Sequence, residues 1–248
     1  MTELNKPLAG KTAIITGAGR GIGRAIAIAF AEAGAGICAA ARSRNEIDEV
    51  AAIINDAGGK AIAVECDVTD SVAVDELVAR TVSEFGGIAI LVNNAGVGLD
   101  RRIVGDDDPD LWKKTVEINL FGVYHCIRAA LPHLKASRGN VINVGSGMGH
   151  QARNLNSSYN VSKAGLWMLT QCLALELADD GVCINELVPG PVETPLTTKI
   201  FQAGKPHPTI PTEHVKLPED VVPLALYMAS QPPTGPTGQS FSLARRPL

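Results

Sequence analysis

The feature of this sequence that most limits its fold is a regular alternation of short apolar runs with longer segments of helical period. Seven runs have the length and composition of strands: residues 11–16, 36–41, 60–66, 88–93, 140–145, 183–188 and 240–243. Apolar strands that alternate with helices are typical of a parallel sheet covered on both faces. We therefore predict an α/β fold, a doubly wound, mostly parallel seven-stranded sheet with helices on both faces.

The chain shows no internal boundary. No long linker, low-complexity tract or repeat divides its 248 residues, so we expect a single domain over residues 1–248. The least regular stretch covers residues 197–216 and carries three prolines. Long irregular segments beyond the carboxyl edge of a sheet often cover a ligand, and we expect this one to cover the substrate.

Charge and cysteine content exclude several classes of function. The net charge of −4 makes a nucleic acid an improbable partner. The five cysteines have no CxxC spacing, which predicts free thiols and neither a metal nor a disulfide. The start of the chain has no apolar signal core, and no apolar run approaches the length of a membrane span. These observations predict a cytoplasmic protein without a membrane partner.

A glycine-rich turn follows the first predicted strand. The motif TGAGRGIG contains Gly17, Gly19, Gly21 and Gly23 and leads into an apolar helix. Glycines at this junction let the backbone approach a pyrophosphate, and the start of the helix offers unpaired N–H groups. The turn predicts a dinucleotide-binding Rossmann fold; the alternative is a tight turn that only closes a strand–helix unit.

The end of the second strand predicts which dinucleotide binds. An acidic residue there would accept from a ribose 2′-hydroxyl, whereas this chain has Ala41 followed by Arg42, with Arg20 in the glycine turn. A guanidinium can pair with a 2′-phosphate, so we predict NADP(H) rather than NAD(H). The alternative is that both arginines are ordinary solvated side chains.

Tyr159 and Lys163 stand four residues apart, which places them on one side of a helix. A neighbouring cation favours the phenolate, so the pair is a candidate acid/base, although such pairs also arise by chance.

Further motifs resemble those of the short-chain dehydrogenase/reductase family, from Lys11 to Gly238. NNAG (93–96), YNVSK (159–163) and PGPVETP (189–195) follow the glycine turn in the order of that family. The resemblance implies a cofactor site made of Gly17, Gly19, Arg20, Gly21, Ile22, Gly23, Arg42, Ser43, Asp67, Val68, Asn93, Ala95, Gly96, Tyr159, Lys163, Pro189, Gly190, Val192 and Thr194.

The same resemblance implies a catalytic set of Asn119, Ser146, Tyr159 and Lys163. Ser146 stands thirteen residues before Tyr159, and Asn119 twenty-seven before Ser146, as in the family. Tyr159 would be the acid/base, Ser146 would bond the substrate oxygen, and Asn119 would orient a water. Lys163 would lower the pKa of Tyr159 and hold the nicotinamide ribose. No metal is implied.

The layout is similar to that of 3-oxoacyl-[acyl-carrier-protein] reductases, but Leu175 stands where that subgroup tends to have arginine, among acidic residues. We therefore expect a small carbonyl or alcohol substrate, with a carrier-bound acyl group as the alternative and a non-catalytic dinucleotide-binding regulator as an alternative of another class. The segment between Ser146 and Tyr159 is expected to line the pocket, through Met148, His150, Arg153 and Asn156.

The helix that carries Tyr159 is apolar on two opposite sides, so one side needs a cover from outside its own sheet. Helices of this kind usually pair between subunits in the family, which predicts a homodimer or homotetramer. The C-terminal sequence SFSLARRPL departs from the family pattern, which leaves the tetramer geometry open.

Overall fold

The computed structural model describes residues 6–197 and 200–248, so part of the predicted domain (residues 1–5) and Thr198 and Lys199 of the predicted covering segment lie outside the described residues. Seven strands form one sheet, and every neighbouring pair in it is parallel. They are β1 (Thr12–Thr16), β2 (Gly36–Ala41), β3 (Lys60–Glu65), β4 (Ile90–Asn93), β5 (Asn140–Val144), β6 (Cys183–Val188) and, after a separate hairpin, β9 (Ser240–Ser242). The predicted seven-stranded α/β sheet is confirmed.

Within the part of the chain that the structure describes, seven α-helices accompany the sheet. They are α1 (Gly21–Glu32), α2 (Arg44–Asp56), α3 (Ser71–Phe85), α4 (Pro109–Val116), α5 (Gly122–Ser137), α6 (Ser157–Glu176) and α7 (Val222–Ala229). One core contains Ile26 and Phe30 of α1 together with Val50 of α2. A second core, on the other face, contains Leu134 of α5 and Leu166 of α6. The sheet is therefore covered on both sides, as its uninterrupted apolar strands predict.

The order of the strands determines where a ligand can bind. Along the sheet the order is β3-β2-β1-β4-β5-β6-β9, so the chain reverses direction across the sheet between β1 and β4. In open parallel sheets a crevice opens at such a switch point, outside the carboxyl ends of the strands. The glycine turn follows β1, and the NNAG motif begins at the end of β4, so both lie at this crevice.

Two local features differ from what the sequence suggests. The irregular stretch 197–216 contains a short antiparallel hairpin of β7 (Pro206–His207) and β8 (Ile210–His214). The helical period that runs through residues 110–135 is interrupted by a π-helical turn, Glu117–Phe121, between α4 and α5. Periodicity alone does not reveal a turn of this kind, because it adds one residue without changing the apolar composition.

The part of the chain that the structure describes contains no helix with the length and apolarity needed to cross a bilayer.

Candidate active site

The turn between β1 and α1 has the shape that its glycines predict. Gly17 and Gly21 have φ values of +63° and +56°, in the left-handed region that favours glycine. A Cβ on Gly23 would collide with the carbonyl of Gly17. Within residues 6–197 and 200–248, no side chain caps the start of α1. The first N–H groups of α1 thus lack a side-chain partner and are available to an anion.

The loop after β4 holds this turn in place. The Asn94 amide donates to the carbonyls of Thr16 and Gly17 at 3.0 and 3.1 Å. In return, the Thr16 hydroxyl accepts from the backbone N–H groups of Asn94 and Ala95. The loop that contains Ala95 is therefore fixed against the glycine turn, and the two predicted cofactor segments lie side by side.

Asn93, another predicted cofactor residue, is buried in the sheet. Its amide donates to Asn143 Oδ1 at 2.9 Å, and the Asn143 amide donates to the Thr170 hydroxyl. The side chain of Asn93 thus links β4, β5 and α6. Asn94, which the sequence did not single out, makes the contacts to the glycine turn.

The predicted phosphate-binding arginines are both exposed and both paired. Arg42 lies 3.9 Å from Asp67, and Arg20 lies 3.4 Å from Glu46. Their side chains are 61% and 64% exposed, so the pairing leaves them accessible to a ligand. Ser43, exposed beside Arg42, is the residue before the first turn of α2.

Asp67 and Val68 follow β3 and line the same edge. Burial alone would raise the pKa of Asp67, but hydrogen bonds from Thr69 and the charges of Arg42 and Lys114 hold it below the ordinary value. The carbonyl of Val68 bonds to the His125 ring at 3.1 Å. Ile22, in the first turn of α1, packs against the core instead.

Tyr159 and Ser146 meet at the end of β5. Tyr159 lies in the first turn of α6 and is partly buried. Burial raises the pKa of the phenol, and the neighbouring Ser146 hydroxyl and the charge of Arg101 oppose that rise. The Ser146 hydroxyl accepts from the Met148 N–H at 3.2 Å, at the start of a 3₁₀ turn. At neutral pH Tyr159 is therefore protonated and able to donate.

Lys163 lies one turn further along α6 and is 5% exposed. Its ammonium donates to the carbonyl of Val144 at 2.7 Å and lies 5.8 Å from the centre of the Tyr159 ring. Burial lowers the pKa of Lys163 to about 8, against the charge of Glu186, which raises it. Because Lys163 bonds to β5 in this arrangement, its effect on the pKa of Tyr159 stays a prediction.

Asn119 lies in the π-helical turn and is fully buried. Its side chain exchanges two hydrogen bonds with the backbone of Val97, both at 2.8 Å, and donates to Ser162 at 3.0 Å. The amide thus locks the loop after β4 to α6, beside Gly96. Its role in orienting a water stays a prediction.

The PGPVETP segment turns back from the end of β6 toward the glycine turn. Pro189 is buried, and Gly190 follows it with φ of +67°. Val192 forms a bridge with Lys216. A Cβ on Gly21 would lie 3.3 Å from the Thr194 methyl, so the segment reaches the glycine turn. The predicted residues of this segment therefore close one side of the crevice.

The loop after Ser146 carries the residues expected to line the pocket. Arg153 is exposed, and Met148 and Asn156 are partly exposed. The His150 ring bonds to Glu186 at 2.8 Å and lies 5.0 Å from the Trp167 ring. A buried carboxylate therefore holds His150, and the part of these four residues in a pocket lining stays a prediction.

The C-terminal tail lies over the same loop. Arg246 donates to Gln151 at 2.7 Å and lies 3.4 Å from the buried Glu213 of β8. Its guanidinium would lie 3.0 Å from a Cβ on Gly147, the residue after Ser146. The tail therefore connects the covering hairpin to the loop that carries the predicted catalytic serine.

Sequence reasoning missed Asn94, Glu186 and Arg246. A signal existed for Glu186, because a glutamate interrupts the apolar strand CINELV. Asn94 stands inside a motif that was recognised, but its contacts depend on how two loops pack. Nothing local distinguishes Arg246 from Arg245. Among residues 6–197 and 200–248, no cluster of three or more His, Cys, Asp or Glu side chains could hold a metal ion.

The chain is similar in sequence to one large protein family and to individual members of it. The sequence profile of the family described as short chain dehydrogenase matches residues 11–205. Glucose 1-dehydrogenase 2 of Bacillus subtilis is 33% identical, over 95% of this chain and 94% of that protein. A 3-oxoacyl-[acyl-carrier-protein] reductase of Thermotoga maritima is also 33% identical, over 95% and 97%.

A solved structure agrees with these relatives. The 3-ketoacyl-(acyl-carrier-protein) reductase of Brucella melitensis, complexed with NADH, superposes with a TM-score of 0.88. It is 33% identical, and the match covers 96% of this chain and 98% of that one. The resemblance inferred from the motifs is therefore confirmed at the level of sequence profile, relatives and fold.

Proposed function

Because this chain belongs to the short-chain dehydrogenase family, we propose that it is an NADP(H)-dependent oxidoreductase. It transfers a hydride between nicotinamide and a small carbonyl or alcohol substrate, with Tyr159 as the acid/base. The observation that carries the proposal is the placement of Ser146, Tyr159 and Lys163 at the carboxyl end of β5, on the same edge of the parallel sheet as the glycine turn after β1.

The residues of the crevice fit a nicotinamide dinucleotide. Gly17 and Gly23 leave no room for a Cβ, because the turn packs tightly on itself and on the loop after β4. The uncapped start of α1 suits a pyrophosphate. The Lys163 ammonium is buried beside Gly96 of the loop after β4 and can hold a ribose hydroxyl. The bound nicotinamide supplies the hydride chemistry.

The protein's own residues handle the proton and the substrate oxygen. In the direction of reduction, Tyr159 donates a proton to the carbonyl oxygen, and its raised pKa keeps that proton available at neutral pH. Ser146 bonds the same oxygen as negative charge develops on it. Lys163 holds the ribose and favours the phenolate left on Tyr159. Asn119 orients a water that returns the proton from solvent.

Arg42 supports a preference for NADP(H). Its exposed guanidinium stands at the end of β2, where the adenosine ribose is expected, with Arg20 in the turn beside it. The ion pair with Asp67 is long, at 3.9 Å, and such exposed pairs are weak, so a 2′-phosphate can displace it.

A small substrate is favoured over an acyl carrier protein. Leu175 is 83% exposed near the end of α6, and Glu176 and Asp179 beside it are also exposed. An acidic carrier would meet like charge at this surface. The carrier-bound alternative is kept because relatives of this chain carry that name.

The remaining parts of the proposal concern the whole molecule. The chain acts as one catalytic domain, in the cytoplasm, with residues 197–216 covering the substrate. Val161, Met168 and Cys172 form an exposed apolar face on α6. A second copy of the chain would cover that face, so the enzyme works as a homo-oligomer.

The proposal is tested by titrating the purified protein with NADPH and NADH while following nicotinamide fluorescence. Turnover of a panel of small ketones, aldehydes, alcohols and a carrier-bound acyl group is then measured with the tighter-binding cofactor. Tighter NADPH binding with turnover of a small carbonyl is the expected result. Cofactor binding without turnover of any compound would indicate a regulator, and turnover of the carrier-bound group alone would indicate the alternative reductase.

A further inference from the structure

Glu186 is a charged residue inside the sheet. It lies in the middle of β6 and is fully buried. A carboxylate in such a position is costly unless other groups compensate it. His150 and the Ser240 hydroxyl both bond to its Oε2 atom. Among the described residues, Oε1 has no hydrogen-bond partner. Both polar neighbours bond to Oε2, so these hydrogen bonds do not compensate the carboxylate on its Oε1 side.

Oε1 points toward the base of the predicted catalytic site. It lies so close to Gly145 that a Cβ at this residue would collide with it. Lys163 donates to the carbonyl of Val144, the preceding residue, at 2.7 Å. The carboxylate and the ammonium therefore lie against adjacent residues of the same short segment, which continues into Ser146. This placement brings the charge of Glu186 near the Lys163 ammonium.

The other charges near Lys163 do not play this part. Tyr159, one turn back on α6, is protonated at neutral pH, and Arg101 acts on the phenol. His150 lies on the far oxygen of Glu186, from the loop after β5, and Ser240 approaches from β9 without a charge. The effect of Glu186 on the ammonium agrees with this geometry, since its charge opposes the lowering of the Lys163 pKa by burial.

We propose that Glu186 is a positioning residue that keeps Lys163 charged by placing a buried carboxylate across the Val144–Gly145 segment from its ammonium. The bond from His150 to Oε2 holds the carboxylate in that place. The inference rests on the proposed function, in which a charged Lys163 holds the ribose and supports Tyr159. Without Glu186, Lys163 would lose its proton at a lower pH. Lys163 and Tyr159 would then support turnover over a narrower range of pH.

The experiment measures Lys163 directly in the full-length protein without cofactor. Lysines labelled at 13Cε are titrated by NMR in the wild type and in Glu186→Gln, and the Lys163 signal is assigned from its absence in Lys163→Arg. Removing the charge should lower the pKa of Lys163 by about one pH unit. Ser240→Ala is the matched control, because it removes a bond to the same oxygen and keeps the charge; its Lys163 titration should match the wild type.

An unchanged Lys163 titration in Glu186→Gln, or an equal change in Ser240→Ala, would overturn the inference. If the amide variant does not fold, Glu186→Met provides a second neutral side chain of similar length. For a substrate found by the panel, the alkaline limb of the kcat–pH profile should move to lower pH by the same amount. The NMR titration needs no turnover. If Glu186→Gln lowers the pKa of Lys163 but the wild type turns over no compound of the panel, the proposed function is refuted and the electrostatic inference stands.

Discussion

Replacing Lys163 by methionine removes a buried cation from the base of the candidate site. In the folded chain the pKa of Lys163 is lowered from 10.5 to about 8, chiefly by burial. Between these values the unfolded chain binds more protons than the folded one, so the stability of the wild type rises as the pH rises. At neutral pH the charged lysine therefore destabilises the fold.

The size of this effect follows from the two pKa values. Each pH unit over which folding releases one proton corresponds to about 1.4 kcal/mol. Integrating from about pH 7 to about pH 9.5 gives roughly 2 kcal/mol of stability gained by the wild type. Methionine cannot titrate, so Lys163→Met should lack this gain. The variant also loses the bond to the Val144 carbonyl, but that loss is the same at every pH.

The assay is urea unfolding of wild type and Lys163→Met, without cofactor, at several pH values across that range. Titrations of groups that do not interact with Lys163 cancel in the difference between the two proteins. The free energy of unfolding of the wild type should rise by roughly 2 kcal/mol relative to the variant. Parallel pH profiles would show that Lys163 is not perturbed when folded, and the reasoning about its burial would be wrong.

Three further predictions use single substitutions. Arg42→Asp should reverse the preference for NADPH over NADH in fluorescence titrations, and an unchanged affinity ratio would contradict the 2′-phosphate argument. Asp70→Ala removes the side chain that accepts from two N–H groups at the start of α3, and should lower the unfolding free energy by about 1 kcal/mol in urea, whereas no change would argue against the cap. Gly145→Ala should cost at least about 1–3 kcal/mol by collision with Glu186, while Gly87→Ala, which meets nothing within 4 Å, should cost less; equal effects would contradict the close packing.

The sheet could be predicted from the sequence because each of its elements is specified by residues that are close together in the chain. The apolar runs, the glycine turn and the helical segments each specify one element, and their alternation leaves few topologies. Most predicted strands agree with the structure to within a residue or two. The π-helical turn at Asn119 could not be predicted, since it leaves the helical period on either side unchanged.

The candidate site was predictable only in part. The spacing of Ser146, Tyr159 and Lys163 placed them near one another, because a strand end and a helix start carry them. The bonds of Lys163 to Val144 and of His150 to Glu186 depend on how β5, β6 and the loop after Ser146 pack together. The number of residues between two positions does not predict such contacts. The contact of Arg246 with Gln151 joins residues ninety-five positions apart and follows from the path of the tail.

The role of Tyr159 is tested by comparing wild type with Tyr159→Phe, using the tighter-binding cofactor and any substrate that the wild type turns over. Tyr227→Phe is the matched control, because Tyr227 is 49% exposed and lies on α7, away from Ser146. We expect that Tyr159→Phe still binds the cofactor and loses at least about a hundredfold in kcat, in the range expected for a missing acid/base. The control should keep wild-type turnover. Substantial turnover by Tyr159→Phe would contradict the central claim, because the proton would then come from another group.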